Sequence, residues 1–241
     1  MQNAELEICC FNLESARIAA DTGADRVELC ADPSGGGTTP ALGLIKAVRK
    51  KISTALFPII RIRGGDFLFS DEEFDVMLHD VESCKSAGCD GVVVGMLLSD
   101  GRIDKMRVSV LVEKAYPLGV TFHRAFDWTR NPFESLEDII DTGCERILTS
   151  GQQPTAMLGA ALIKDLVKQA DGRISIMPGS GVRASNISSL RKETGANEFH
   201  SSARIQKKSA MAYIQTSMQE DQVSVMANRH EIEQMLIQLN S

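Results

Sequence analysis

A histidine, an arginine and an aspartate fall within five positions of one another, at His123, Arg124 and Asp127. They follow the run 119–122, whose valine and phenylalanine are typical of a buried strand. An imidazole can donate or accept a proton near neutral pH, and a guanidinium binds carboxylate or phosphate groups. A strand that leads into such residues indicates a site for acid–base chemistry on a small anionic substrate.

Eight short runs rich in valine and isoleucine alternate with longer segments of helical period. This alternation predicts an α/β fold, a TIM (β/α)8 barrel. A chain of 241 residues suits one such barrel as a single domain. The predicted strands cover residues 5–10, 26–30, 58–63, 91–96, 119–123, 146–150, 173–178 and 197–201.

The segments between the strands have the features of helices and of the turns that end them. Amphipathic helices are predicted over 70–87 and 154–170. The segment 205–241 is predicted to be irregular up to a final helix over 228–239, packed on the barrel. Glycines suited to helix ends precede four of the strands, at Gly23, Gly88, Gly143 and Gly195.

Alternation of side chains along the predicted strands places charged groups inside the barrel, whereas Cys10 is predicted to face the helices. A buried charge costs several kcal/mol unless it is paired, so the inward groups form either a structural ion network or a site. Their place near the carboxyl ends of the strands favours a site. The predicted inward residues include Glu7, Cys9, Glu28, Cys30, Arg61, Arg63, His123 and His200.

These residues suggest roles in a reaction at the carboxyl end of the barrel. His123 and His200 are candidates for general acid and base, or one of them for a metal ligand, with Glu28 and Asp127 as their catalytic partners. Arg61 and Arg63 would clamp a small phosphate- or carboxylate-bearing anion. Further substrate-binding candidates lie on strands or in loops, where glycines permit close backbone approach: Glu7, Asp66, Arg124, Ser150, Gly151, Gly179 and Gly181.

Composition narrows the possible partners and location. The net charge of −6 argues against a nucleic-acid partner, because phosphate binding needs a basic face. No apolar run approaches the length of a membrane span and the first residues do not look like a signal peptide, so we expect no membrane association and a cytoplasmic protein. A homodimer or higher homo-oligomer is expected for a barrel of this size.

Six cysteines are expected to be free thiols in the reducing cytoplasm. Cys9, Cys10 and Cys30 lie on the first two predicted strands, near the candidate site. Soft Cu(I) accepts two or three thiolates, so these three cysteines are the candidate metal ligands. Spacing alone leaves packing open as the alternative, because no Cys-x-x-Cys pair is present.

Several sequence phrases at the predicted strand ends, taken together, resemble the CutC family of copper homeostasis proteins. They occur in order from the first strand to the eighth, which makes a chance match improbable. The phrases are Leu6-Glu7-Ile8-Cys9, Asp25-Arg26-Val27-Glu28-Leu29-Cys30, Arg61-Ile62-Arg63-Gly64-Gly65-Asp66-Phe67, Thr121-Phe122-His123-Arg124-Ala125-Phe126-Asp127, Leu148-Thr149-Ser150-Gly151-Gln152 and Glu198-Phe199-His200-Ser201-Ser202-Ala203.

The resemblance implies a cytoplasmic TIM barrel associated with copper tolerance, with Cys30 matching a cysteine of the family motif. Two positions differ from the family pattern: Ile62 stands where a proline is common, and Ser180 where a third glycine is common. Three hypotheses follow: a copper-handling protein using Cys30 with Cys9 or Cys10, an enzyme acting on a small anion, or a noncatalytic binding barrel.

Overall fold

Eight parallel strands alternate with helices in the computed structural model, which describes residues 4–219 and 222–240. The strands are β1 Glu5–Cys10, β2 Arg26–Leu29, β3 Ala55–Pro58, β4 Gly91–Val94, β5 Gly119–Phe122, β6 Arg146–Thr149, β7 Ser175–Pro178 and β8 Glu198–Ser201. The helices between them are α1 Leu13–Thr22, α2 Leu42–Arg49, α3 Asp71–Ser86, α4 Lys105–Ala115, α5 Pro132–Thr142, α6 Ala160–Ala170 and α7 Ile187–Thr194, with a 3-10 helix at Arg124–Trp128 after β5. This order confirms the predicted TIM-barrel fold.

The strands form two parallel sheets, in the orders β3-β2-β1-β8 and β4-β5-β6-β7. A bridge between Ile59 and Val93 joins β3 to β4. On the other side, Gly179 directly follows β7, and a side chain there would lie 3.4 Å from Cβ of His200 on β8. The two sheets thus surround a common interior.

The outward face of β1 packs against the helices, as alternation predicts. Leu6, Ile8 and Cys10 are fully buried in the large core between strands and helices. Cys9 belongs instead to a small inner cluster with Cys30, Phe57, Ile59 and Val93. Successive side chains of β1 therefore face alternately the helices and the interior of the barrel.

Three of the four predicted glycine turns end helices directly. Gly23, Gly143 and Gly195 have positive φ angles of 100°, 86° and 74° and donate their N–H groups to carbonyls of the preceding helix. Glycine adopts this left-handed conformation without the strain of a side chain. Gly88, with φ of 76°, follows the end of α3 by one further residue.

The lower part of the interior contains a buried ion network centred on Arg26. Its guanidinium donates to Glu7 and to Glu198, each at 2.5 Å, and lies 5.3 Å from the centre of the Phe57 ring. Arg146 on β6 donates to the same Glu198 at 2.8 Å. Each of these charges has an opposite partner, which is the condition for burying them.

Several predicted boundaries are wrong. The third strand, predicted over 58–63, spans Ala55–Pro58, and the chain beyond it leaves the sheet where Arg61 pairs through its backbone with Thr39 in the loop after β2. The helix predicted from residue 154 begins at Ala160, because Gly159 packs directly on the loop backbone around Ser150. The seventh strand begins at Ser175 rather than at residue 173.

The segment after β8 is more regular than predicted. Strands β9 Arg204–Lys208 and β10 Val223–Ala227 form an antiparallel hairpin that carries a short 3-10 helix at Thr216–Met218. The final helix α8, Arg229–Leu239, begins where predicted and packs against α1 and α7. The prediction of an irregular segment is wrong for β9 and β10; its residues 220, 221 and 241 lie outside the described residues. Within the described part of the chain, no helix has the length and apolarity needed to cross a membrane.

Arg26→Met should destabilise the barrel strongly, because it leaves Glu7 and Glu198 without their shared cation. Breaking a buried ion pair in this way costs about 3–5 kcal/mol. The measurement is the free energy of unfolding from urea titration, with Arg173→Met as control, since Arg173 pairs with Glu137 at the surface. A change in Arg26→Met no larger than that of the control would contradict the network's role.

Candidate functional site at the barrel mouth

A cavity of about 500 Å³ lies at the carboxyl ends of the barrel strands. Residues of β1, β2 and β8 form its floor, and the loops after β2, β3, β5 and β7 form its walls. Among the residues predicted as site residues, those lining this cavity are Cys9, Glu28, Arg61, His123, Arg124, Gly181 and His200.

Two thiols and a carboxyl group meet beneath this cavity. Cys9 and Cys30 have their Sγ atoms 3.6 Å apart, and Cys30 Sγ lies 3.4 Å from Oε2 of Glu28. All three potential ligand atoms lie within 4.8 Å of one another. The parallel register of β1 and β2 pairs Cys9 with Glu28, so the cluster follows directly from strand pairing.

The loop after β2 covers Cys30. Gly37 has a φ of +95°, and a Cβ at this position would lie 3.3 Å from Cys30 Sγ. Backbone alone therefore fits over this sulfur. Cys30 is 1% exposed, whereas Cys9 is 9% exposed and lines the cavity.

The two thiols differ in protonation. The hydrogen bond with Cys30 is the main cause that lowers the pKa of Cys9, to about 5; burial acts in the opposite direction, and His200 lowers it further. Burial raises the pKa of Cys30 well above its usual value, and the neighbouring Cys9 adds to this effect. The shared hydrogen therefore belongs to Cys30, and the pair is one thiolate and one thiol near neutral pH.

His200 is oriented by Glu7, which accepts a hydrogen bond from its Nδ1 at 2.7 Å. Burial lowers the pKa of His200, but hydrogen bonds with Cys9 and Glu7 outweigh burial and raise it well above its usual value. Burial also raises the pKa of Glu7, but its bonds to His200 and Arg26 outweigh burial and keep it ionised. His200 is therefore an imidazolium beside Cys9 and stabilises the thiolate; without a free nitrogen lone pair it is not a metal ligand in this state.

His123 has the opposite character. Its Nδ1 accepts the backbone N–H of Ala125 at 3.1 Å, which assigns the hydrogen of the neutral ring to Nε2. Burial lowers the pKa of His123 to about 3, and the charge of Arg61 contributes in the same direction. Its Nε2 is buried and has no hydrogen-bond partner. Gly95 makes room for this ring, since a Cβ there would lie 2.4 Å from it.

Arg61 is held by the backbone of two loops. Its terminal nitrogens donate to the carbonyls of Gly35, Gly37 and Gly65 at 2.8–3.1 Å. Its Nε is buried and has no partner. Its guanidinium carbon lies 4.7 Å from the centre of the Phe67 ring, which also lies 5.1 Å from the His123 ring.

Three predicted site residues lie away from the site. Cys10 faces the helices, as alternation predicts, with its Sγ against the carbonyl of Ile8 at 3.6 Å, so it is not placed to be a metal ligand with the other two thiols. Arg63 lies beyond β3 in the loop and pairs at the surface with Asp66 at 2.9 Å and Glu73 at 2.6 Å. Neither Arg63 nor Asp66 lines the cavity, because β3 ends before alternation can direct them inward.

Asp127 organises the wall of the cavity. Its buried carboxylate accepts hydrogen bonds from Thr149 Oγ1 at 2.5 Å and from the backbone of Ser150 and Gln152, and pairs with Arg124 at 2.8 Å. These bonds fix the loop after β6 to the loop after β5. This position suits a structural role better than the predicted catalytic one.

The remaining predicted loop residues also support the wall. Ser150 Oγ bonds to Asp127 and to the carbonyl of Gln153. Gly151 packs on Gly159, where a Cβ would approach the backbone to 2.4 Å, and Gly179 packs on Leu148 and His200. The sequence analysis did not predict that Phe67 and Trp128 line the cavity. The sequence could have indicated them only through position, because Phe67 lies within one strand-end motif and Trp128 directly follows another.

Comparison with known proteins gives consistent results. The model of the CutC family matches residues 4–205. The CutC family protein of Chromobacterium violaceum is 52% identical over 208 residues, covering 86% of this chain and 84% of the relative, and that of Bacteroides fragilis is 50% identical over 214 residues, covering 88% and 85%.

This chain belongs to the CutC family. Its fold also matches the crystal structure of a CutC protein from Streptococcus agalactiae, whose description connects it with copper homeostasis. The TM-score is 0.78 at 32% identity, covering 83% of this chain and 98% of the other. Phosphoribosylanthranilate isomerase from Thermotoga maritima has a TM-score of 0.61 at 12% identity, covering 98% of each chain, a likeness confined to the fold.

His123 should remain a neutral imidazole with hydrogen on Nε2 at every pH from about 8 to 5, because its pKa is lowered to about 3. The measurement is nitrogen NMR of histidine-labelled protein, which distinguishes the two ring nitrogens. In the unfolded chain, His123 binds a second ring proton near pH 6.5, whereas in the folded protein it does not. His123 therefore reduces the free energy of unfolding as pH falls below that value. A His123 signal titrating near pH 6.5 in the folded protein would contradict the assignment.

Proposed function

We propose that this CutC family protein binds Cu(I) between Cys9 and Cys30 and serves copper homeostasis in the cytoplasm. The observation that carries the proposal is the pair of sulfur atoms 3.6 Å apart at the floor of the barrel mouth. Family membership supports the connection with copper. All six cysteines are free thiols, which fits a reducing compartment.

The donor set suits a soft monovalent ion. Thiolates select Cu(I), whereas carboxylate oxygen is a harder donor that suits other cations. We therefore assign the ligand role to Cys9 and Cys30 and leave Glu28 as a hydrogen-bonding neighbour of Cys30. Burial and the charge of Cys9 raise the pKa of Glu28 well above its usual value, which keeps it protonated and reduces its competition as a ligand.

The charge balance of the site favours the same ion. Before binding, the Cys9 thiolate faces the His200 imidazolium and Cys30 carries a proton. When Cu(I) replaces that proton, the total charge of the buried site does not change. A divalent ion would leave one additional positive charge in a region where unpaired charge is costly.

Cys30→Ser should weaken Cu(I) binding by more than about 100-fold, because it removes one of two ligands and even second-shell changes cost about 10–100-fold. Affinity is measured by titrating the reduced, metal-free protein with Cu(I) against a competing chelator in the absence of oxygen. Cys10→Ser is the matched control, because Cys10 follows Cys9 on β1 and is as buried as Cys30 but faces the helices.

Equal loss of affinity in Cys30→Ser and Cys10→Ser would overturn the assigned ligand pair, as would weak binding by the wild-type protein. Glu28→Gln provides a second comparison. It keeps a polar group beside Cys30, so affinity should fall by no more than about 10–100-fold, the range typical of second-shell changes, and by less than in Cys30→Ser.

Cu(I) affinity should increase about tenfold for each pH unit between about pH 6.5 and 8, since one proton leaves Cys30 for each ion bound. The raised pKa of Cys30 keeps this thiol protonated in the free protein across that range, while Cys9 is already ionised. The chelator competition is repeated across the range with correction for chelator protonation. An affinity independent of pH, or one that changes about a hundredfold per unit, would contradict the single-proton exchange.

A further inference from the structure

We propose that the barrel mouth contains a second binding subsite, formed by Arg61 and His123, for a small anion bearing a carboxylate or phosphate group. This subsite uses none of the sulfur ligands of the copper site. The inference therefore goes beyond copper binding and stands independently of it.

The first observation is a pair of buried donors without acceptors. Arg61 Nε and His123 Nε2 are the two buried side-chain nitrogen or oxygen atoms that lack a partner among the described residues. Both residues line the same cavity. A buried polar atom without a partner is destabilising, so a ligand that supplies acceptors at both atoms removes this cost.

The chemistry of both atoms selects oxygen acceptors over a metal ion. Arginine Nε carries a hydrogen in its only accessible protonation state, and His123 Nε2 carries one as long as Ala125 donates to Nδ1. Neither nitrogen has a lone pair free for a metal. Two N–H groups that contact one ligand would match the oxygens of a carboxylate or a phosphate.

The second observation is charge. Arg61 is 5% exposed and forms no ion pair within the described part of the chain; its three bonded partners are neutral carbonyls, and Asp32 and Asp66 attract its charge without contacting it. Arg26, in the same barrel, is equally buried but neutralised by Glu7 and Glu198. Arg61 thus retains a positive charge that a bound anion would balance.

The rest of the cavity lining is also rich in positively charged side chains, although the whole chain carries a net charge of −6. The ionisable lining of the whole cavity comprises four arginines, of which Arg124 is paired with Asp127, together with the adjacent Cys9 and His200 and the carboxyl group of Glu28. Arg183 is half-buried and Arg204 is exposed, so these two line the outer part. An anion would be attracted to the mouth before it reaches Arg61.

Phe67 lies against the side chains of both Arg61 and His123. Its ring is 4.7 Å from the guanidinium carbon of Arg61 and 5.1 Å from the His123 ring. The two donor nitrogens are closed to solvent in this arrangement. The Phe67 ring must turn aside when the anion binds, because the ligand oxygens need the space in front of these nitrogens.

The test uses the full-length, copper-free protein with three probes: inorganic phosphate, malonate and the neutral diamide of malonate. Calorimetry should detect binding of at least one of the two anions and no binding of the diamide. The responding anion decides between a phosphate and a carboxylate ligand. Absence of binding by both anions, or equal binding of the diamide, would overturn the proposal.

Two variants locate the binding. Arg61→Gln should weaken anion binding at least tenfold, whereas Arg63→Gln, which removes the same charge at the surface, should bind as the wild type does. Equal weakening in both variants would show that the anion is held only by the general positive charge of the protein surface, and would overturn the subsite. Cys30→Ser should keep wild-type anion affinity, so failure of the copper proposal and failure of this one are distinguishable.

Nitrogen NMR of the wild-type protein keeps the test valid even if Arg61→Gln fails to fold. The anion that binds should shift the Nε2–H signal of His123 and, in the matching carbon NMR titration, the ring signals of Phe67, at the same ligand concentration. Binding that leaves the His123 signal unchanged would place the anion elsewhere and reject the subsite.

Discussion

The fully buried carboxylate of Glu7 connects the base of the barrel to its mouth. It accepts hydrogen bonds from Arg26 below and from His200 above, so one acidic group balances two cations. His200 in turn stabilises the thiolate form of Cys9. Packing, ion pairing and the protonation of the proposed copper site therefore depend on one residue of β1. Such a chain is stable only when every member has its partner, because an isolated buried charge is costly.

The mouth of the barrel contains two histidines in opposite protonation states, both lining the same cavity. His200 is surrounded by acidic partners and is charged, whereas His123 lies near Arg61 and accepts a backbone N–H, so it is neutral. The same side chain thus stabilises a thiolate in one place and offers an unused N–H in another. This difference separates a region suited to a soft cation from one suited to oxygen anions.

Local pattern was sufficient to predict most of the barrel and half of the site. Alternation along β1 and β2 predicted that Cys9, Glu28 and Cys30 face inward, since these positions repeat with the period of a strand. It failed at Arg63, where β3 had already ended and no alternation applies. The Arg26 network was beyond sequence reasoning, because its partner Glu198 is 172 residues away and the pairing depends on closure of the barrel. The hairpin of β9 and β10 was missed because its residues are mostly exposed and carry little apolar periodicity.

The close fit of Gly37 over Cys30 would have a kinetic consequence for the proposed copper site. Backbone covers that sulfur, and Cys9 alone of the two lines the cavity, so an ion entering the proposed site would meet Cys9 first and Cys30 second. Capture would then be ordered, with the bond to Cys30 formed only as Cys30 loses its proton. Release would follow the reverse order, with Cys30 regaining its proton before the ion leaves Cys9 for a competing external thiol.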